Sequence, residues 1–128
     1  MNIRKPICDS HVHSHFSFDA SPSASPDAIC ERAKALGMTH IAITDHNDVN
    51  VLFDHSFPPY PEKEAAQSIA EAKKRHDGSV CLAYGVELGQ AHQYTEAARA
   101  FLDVFDPDVV VGSLHSLRGE PDFYSLGK

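Results

Sequence analysis

Two histidines separated by a single residue, His11 and His13, lie in the segment Asp9-Ser-His11-Val-His13. On an extended backbone, residues two apart project from the same face, so both imidazoles can address one cation. Three further segments carry the same kinds of side chain: Ile43-Thr44-Asp45-His46, Gly85-Val-Glu87 and Gly112-Ser-Leu-His115. Asp19 follows His13 in the next loop. Imidazole nitrogen and carboxylate oxygen without thiolate suit zinc, manganese or iron rather than a structural thiolate zinc site. The candidate metal ligands are therefore His11, His13, Asp19, His46, Glu87 and His115, and a divalent transition metal is the expected cofactor. A lone histidine of this kind is most often a satisfied polar residue. Four separate segments, each delivering a ligand type, carry the metal reading.

Those segments need a scaffold that brings them together. A strand is expected over Ile3 to Asp9, and a helix from Pro26 with Ser25 as its N-cap. Ala28, Ile29, Ala33 and Leu36 follow at helical spacing, and Gly37 ends the helix. The run His40 to Thr44 reads as a second strand, followed by a long loop through Phe57-Pro58-Pro59-Tyr60. A helix from Pro61 to His76, a strand from Val80 to Leu88, a helix from Tyr94 to Val104 and a strand from Asp108 to Ser113 complete the pattern. The tail from Leu117 carries no clear element. The order βαβαβαβ predicts an α/β fold with a parallel sheet, and each ligand segment then falls at the C-terminal end of a strand, where such folds build their sites. Four strands with helices outside them amount to half a barrel, since complete α/β barrels take about 200 residues or more. Residues 1–128 are read as one domain. Either they are a fragment, or a second copy covers the open edge at Val109 to Val111.

The composition narrows the partners. Eighteen acidic against eleven basic residues give a formal charge of −7, which repels phosphate backbones and makes nucleic acid an unfavourable partner. No apolar run approaches the about 18 to 20 residues of a membrane span, and no signal peptide is evident, so no membrane association is expected and the cytoplasm is the expected compartment. Cys8, Cys30 and Cys81 form no CxxC pair and read as buried small apolar residues. Of the remaining histidines, His15 reads as a supporting or solvated residue and His40 as structural, at the wrong end of its strand. Ordinary solvation accounts for His55, His76 and His92. Asp9 and Asp45 neighbour candidate ligands and are placed to orient imidazole N–H groups, the alternative for both being a turn-stabilising carboxylate, and Arg118 could hold a phosphate oxygen beside His115.

Together the motifs Asp9-x-His11-x-His13, Ser17-x-Asp19, Ile43-Thr44-Asp45-His46, Gly85-x-Glu87 and Gly112-Ser-x-His115 resemble the PHP (polymerase and histidinol phosphatase) family, and its histidinol-phosphate phosphatase branch in particular. The resemblance implies the N-terminal half of a distorted (β/α)7 barrel with up to three metals at the strand C-termini. Carried over by position, His11, His13 and Glu87 would hold one metal, Glu87 would bridge to a second held by His115, and Asp19 with His46 would hold the third. The activity implied is metal-dependent hydrolysis of a small phosphomonoester such as histidinol phosphate, releasing inorganic phosphate. Bound metals would neutralise the phosphate and lower the pKa of a water toward neutrality to give the attacking hydroxide. Glu87 would set the metal separation, and His115 is the candidate to protonate the leaving alkoxide. Family members of full length continue to a further histidine and an Asp-x-His motif, and neither follows Lys128. The alternatives are a homodimer closing the barrel, water and ions in place of the missing groups, or a half-barrel metal-binding or interaction module with little or no turnover.

Overall fold

Four strands, all parallel, stand side by side in the order of the sequence, with a helix in each connection. The computed structural model describes residues 7–50 and 58–123. The elements are β1 (Cys8–Val12), α1 (Pro26–Ala35), β2 (His40–Asp48), α2 (Glu62–Arg75), β3 (Cys81–Gly89), α3 (Thr95–Phe105) and β4 (Val109–Ser113). The sheet curls into half a barrel with the helices outside it. Strand order follows chain order because each βαβ crossover returns the chain one position along the sheet.

Helix α1 starts where its capping chemistry dictates. The Ser25 hydroxyl accepts a hydrogen bond from the Ala28 backbone N–H at 3.2 Å, and Pro26 stands in the first turn, where its missing N–H costs nothing. Gly37 takes the left-handed conformation, with φ of 73°, that lets the chain leave the helix. The helices bury narrow stripes: Cys30 and Ala33 from α1, Ala65, Ile69 and Ala72 from α2, Ala98 and Phe101 from α3. Against them pack Ile41, Ile43 and Leu82, and farther along the sheet Val86 and Leu88. The register puts these strand residues on one face, so His46, Asp48, Glu87 and Gly89, of the other parity on their strands, lie on the opposite, concave face.

Several expectations shift. The stretch before residue 7, which was to hold most of the first strand, lies outside the described residues, as do His55 and Phe57. Strand β1 instead continues to Val12, three residues beyond the expected end. Strand β2 runs on to Asp48 rather than stopping at Thr44, which puts His46 within the strand. Cys30 is fully buried as expected, but Cys8 and Cys81 are exposed. They flank His40 in the register row that opens the sheet, on the side the helices do not cover. His76 is not solvated: it is 7 % exposed. Its Nε2 lies 3.0 Å from Oδ1 of Asp27 and its Nδ1 3.5 Å from Oε1 of Glu31, so it ties the end of α2 to α1. Among the described residues no helix is long and apolar enough to cross a membrane.

Candidate metal centre

The six candidate ligands reach the C-terminal rim from every strand. His46 and Glu87 are direct register partners on β2 and β3, and Val111 of β4 continues the row beyond Glu87. His11 lies on β1, His13 follows it immediately, and Asp19 comes from the loop beyond. His115 lies two residues past the end of β4. Three groups result, His11–His13–Glu87, His13–Asp19–His46 and His46–Glu87–His115, and within each the ligand atoms lie within 4.8 Å of one another. The imidazoles meet edge to face, with ring centroids 4.9 Å apart for His11 and His13, 4.6 Å for His13 and His46, and 4.8 Å for His46 and His115.

Glu87 is the hub. Its Oε1 accepts a hydrogen bond from the Ser113 hydroxyl at 2.6 Å and lies 3.0 Å from His115 Nε2. Its Oε2 faces the other imidazoles, 3.0 Å from His13 Nε2, 3.5 Å from His46 Nδ1 and 3.6 Å from His11 Nε2. Yet Oε2, His13 Nε2 and His46 Nδ1 are buried without making any hydrogen bond. Buried polar atoms normally find partners, because leaving them unpaired is costly. Three such orphans facing one another, all of ligand type, fit divalent cations lodged between them.

The surrounding residues hold these side chains in place. Thr44 Oγ1 and His11 Nδ1 are hydrogen-bonded at 2.7 Å, and the Ser17 hydroxyl accepts from the His46 backbone N–H at 2.8 Å. Asp19 approaches two rings, with Oδ1 3.1 Å from His13 Nδ1 and Oδ2 3.5 Å from His46 Nε2. Asp48 lies 2.6 Å from His115 Nδ1 and 3.5 Å from His46 Nδ1.

This crowding of acids and imidazoles moves their protonation. Burial opposes the charge on Asp48, but the hydrogen bond to His115 and the positive charge of His115 and His46 outweigh it and bring its pKa down to about 2. The hydrogen bond to Asp48 raises His115 to about 9 against the cost of its burial, with Glu87 contributing. His46 is raised as well: burial works against its charge, and Asp48, Glu87 and Asp19 prevail. Burial likewise opposes ionised Glu87, while Ser113, His46 and His115 hold its pKa below the usual carboxyl value. The carboxylates of Asp48 and Glu87 and the imidazoles of His46 and His115 thus favour one another's charged forms, and a cation bound there would displace imidazole protons.

Other expectations are corrected. Asp9 orients no imidazole ring; its Oδ1 accepts from the His11 backbone N–H at 3.2 Å and shapes the turn. Asp45 shares the parity of Ile41 and Ile43, so it points away from the rings. Its carboxylate accepts from the backbone N–H of Ser14 at 2.5 Å and from its hydroxyl at 2.7 Å. Burial raises the Asp45 pKa, with Ser14 working in the other direction. His15, expected to support the site or be solvated and not counted among the ligands, lies outside the three groups, and its ring packs against Phe16, with centroids 4.2 Å apart. Arg118 sits over the Tyr94 ring at 5.6 Å instead of reaching toward His115. Thr44, Asp48 and Ser113 were missed by the sequence reading. The signal available for Asp48 was its spacing of two from His46 on one strand.

The chain is thus a parallel α/β half-barrel whose rim gathers histidines and acids into adjoining three-donor groups that could hold metal ions. Residues 9–127 match the PHP domain model, and the chain belongs to that family. A Clostridium acetobutylicum protein named "Probable histidinol-phosphatase" is 30% identical over 118 residues, covering 88% of this chain and 41% of the relative. The crystal structure of histidinol phosphate phosphatase from Lactococcus lactis, complexed with zinc, L-histidinol and phosphate, matches with a TM-score of 0.69 and 27% identity. The match covers 86% of this chain and 40% of that one. A Listeria monocytogenes structure shares the fold with the same TM-score of 0.69 at 18% identity, over 87% of this chain and 46% of its own. The chain thus spans about two-fifths of the length of these relatives.

Proposed function

We propose that this protein is a metal-dependent phosphoesterase acting on a small phosphomonoester, with histidinol phosphate the first candidate substrate. The observation that supports it most is the convergence of Oε2 of Glu87 with Nε2 of His13 and Nδ1 of His46, three buried atoms that make no hydrogen bond. The names of the relatives supply the substrate class, and the zinc in the Lactococcus structure makes zinc the first metal to test, ahead of manganese and iron.

When bound, the cations supply Lewis acidity and neutralise the charge of the phosphoryl group. The side chains do the rest. His11 and His13 present their nitrogens from one stretch of chain, and His46 and Asp19 close the group beside them. Glu87 turns one oxygen to each side and so joins neighbouring groups. His115 serves as a ligand through Nε2. Both of its nitrogens are engaged, Nδ1 with Asp48 and Nε2 with Glu87, which disfavours it as the donor of a proton to the leaving alkoxide. The protein's net charge of −7 would repel a phosphomonoester, so the cations must also reverse the local field.

Purified protein supplied with zinc should release phosphate from histidinol phosphate, and chelation should stop it. The double variant His11→Ala with His13→Ala should lose both zinc and turnover. Zinc content unchanged in that variant would reject the site. Zinc uptake without hydrolysis of histidinol phosphate or of a generic phosphomonoester would favour a second reading, a metal-binding half-barrel without turnover. That reading is motivated by the two-fifths coverage of the relatives and by groups that each contain three donors. A second copy pairing with the outer edges of β1 and β4 is the arrangement that would close such a half-barrel, and sedimentation would detect it.

A further inference from the structure

Asp48 lies two residues beyond His46 on β2, so both side chains rise from the concave face. Its side chain is 5 % exposed, and one carboxylate oxygen meets His115 Nδ1 at 2.6 Å. The register partner of Asp48 on β3 is Gly89. A Cβ built on Gly89 would overlap the Asp48 carboxyl group and come within 3.1 Å of His115 Nδ1. The lack of a side chain at position 89 is what admits the carboxylate.

The next residue, Gln90, fixes His115 from the other side. Gln90 is 1 % exposed and adopts a left-handed backbone, φ 63°, unusual for a residue other than glycine. Its side-chain oxygen accepts from the His115 backbone N–H at 2.8 Å. Its amide donates to the Ser116 carbonyl and, at 2.8 Å, to the Ser116 hydroxyl. The ring and the backbone of His115 are thus held by separate buried groups, Asp48 on β2 and Gln90 immediately past the end of β3.

We propose that Asp48, seated over Gly89, is a positioning residue of the metal centre: it keeps the His115 proton on Nδ1 and turns Nε2 toward Glu87, where a cation would take it. A carboxylate behind a metal-bound imidazole fixes its tautomer and raises its basicity. The inference rests on the metal reading of the cluster, but part of its test does not require metal.

The test uses the full chain labelled with nitrogen-15 at histidine, with and without zinc, and compares the wild type with Asp48→Ala, Asp48→Asn, Gly89→Ala and the control Gly112→Ala. Gly112 has nothing within 4 Å of an added Cβ. Without zinc, the wild type and Gly112→Ala should show a slowly exchanging Nδ1 proton on His115, and Asp48→Ala and Gly89→Ala should lose it. Competition with a chelator should show zinc bound about tenfold or more weakly by Asp48→Ala and Gly89→Ala. Asp48→Asn, whose amide oxygen can still accept the proton, should recover part of the loss. Circular dichroism and thermal unfolding identify any variant that fails to fold, and Asp48→Asn then carries the comparison. The proposal is overturned if His115 keeps the same protonated nitrogen and zinc affinity when the carboxylate is removed. A wild type with the Nδ1 proton but no zinc affinity overturns the metal reading and this proposal with it. Tight zinc binding insensitive to Asp48 overturns this proposal alone.

Discussion

The hydroxyl of Ser113 donates to Oε1 of Glu87 at 2.6 Å and thereby separates the duties of that carboxylate's two oxygens. Oε1 is anchored, while Oε2 faces the imidazoles of His11, His13 and His46. Ser113→Ala should therefore let the carboxylate rotate. Zinc affinity, measured by competition with a chelator, should fall about tenfold, while denaturant unfolding should shift by only about 1 kcal/mol, the worth of one hydrogen bond.

Gly85 and Gly112 should respond unequally to the same substitution. A Cβ on Gly85 would stand 2.6 Å from Thr44 Cγ2, 3.0 Å from the Ile43 carbonyl oxygen and 3.1 Å from that of Val109, two of which are backbone atoms that cannot rotate away. Gly85→Ala should cost about 1–3 kcal/mol in chemical denaturation. It should also displace Thr44, the hydrogen-bond partner of His11. Gly112→Ala meets nothing within 4 Å and should leave stability within about 0.5 kcal/mol.

The three cysteines should divide by reactivity. Cys8 and Cys81 are exposed, whereas Cys30 is buried, and its thiol is pushed up to about 11 by that burial and by the nearby Asp27 and Glu31. A disulfide reagent at neutral pH should modify Cys8 and Cys81 rapidly. Cys30 should react only when denaturant opens α1, because the thiolate is the reactive form.

The link between α1 and α2 should be acid-sensitive. Arg75 grips Asp27 through two hydrogen bonds, at 2.9 Å and 2.6 Å, and this contact lowers the Asp27 pKa against its partial desolvation, with His76 assisting. A carboxyl whose pKa is depressed in the folded state contributes stability above its ordinary pKa and loses it as pH falls through the folded value. The Tm difference between the wild type and Asp27→Asn should thus be largest near neutrality and shrink below about pH 4. High salt should shrink it too, since these side chains are well exposed.

Much of this architecture could be read from residue order, because the helical stripes of Ala28 to Leu36 and Ala65 to Ala72 and the apolar runs at Ile41 and Val109 are local signals. Five of the six candidate ligands are legible because each lies at or beside a strand end, a property of its own segment, and Asp19 follows in the loop after β1. The end of β2 was misplaced because Asp45, Asn47 and Asp48 break the apolar pattern. They are nonetheless buried, and Asp45 lies beneath the Ser14 loop. Asp48, Gly89 and Ser113 escaped notice because their meaning arises across strands: Asp48 pairs with Gly89 and Gly89 with Ser113 only once the register exists. Asp45 was given the wrong task for a simpler reason. Its parity with Ile43 already placed it on the opposite face from His46.

Every donor of the cluster comes from a strand or from the loop that leaves one, and no helix supplies any. The outer faces of the helices, such as that around Val104 on α3 at 72 % exposure, therefore carry none of the candidate ligands. A dye, a tether or a fusion partner attached there would immobilise or report on the molecule while leaving the rim free.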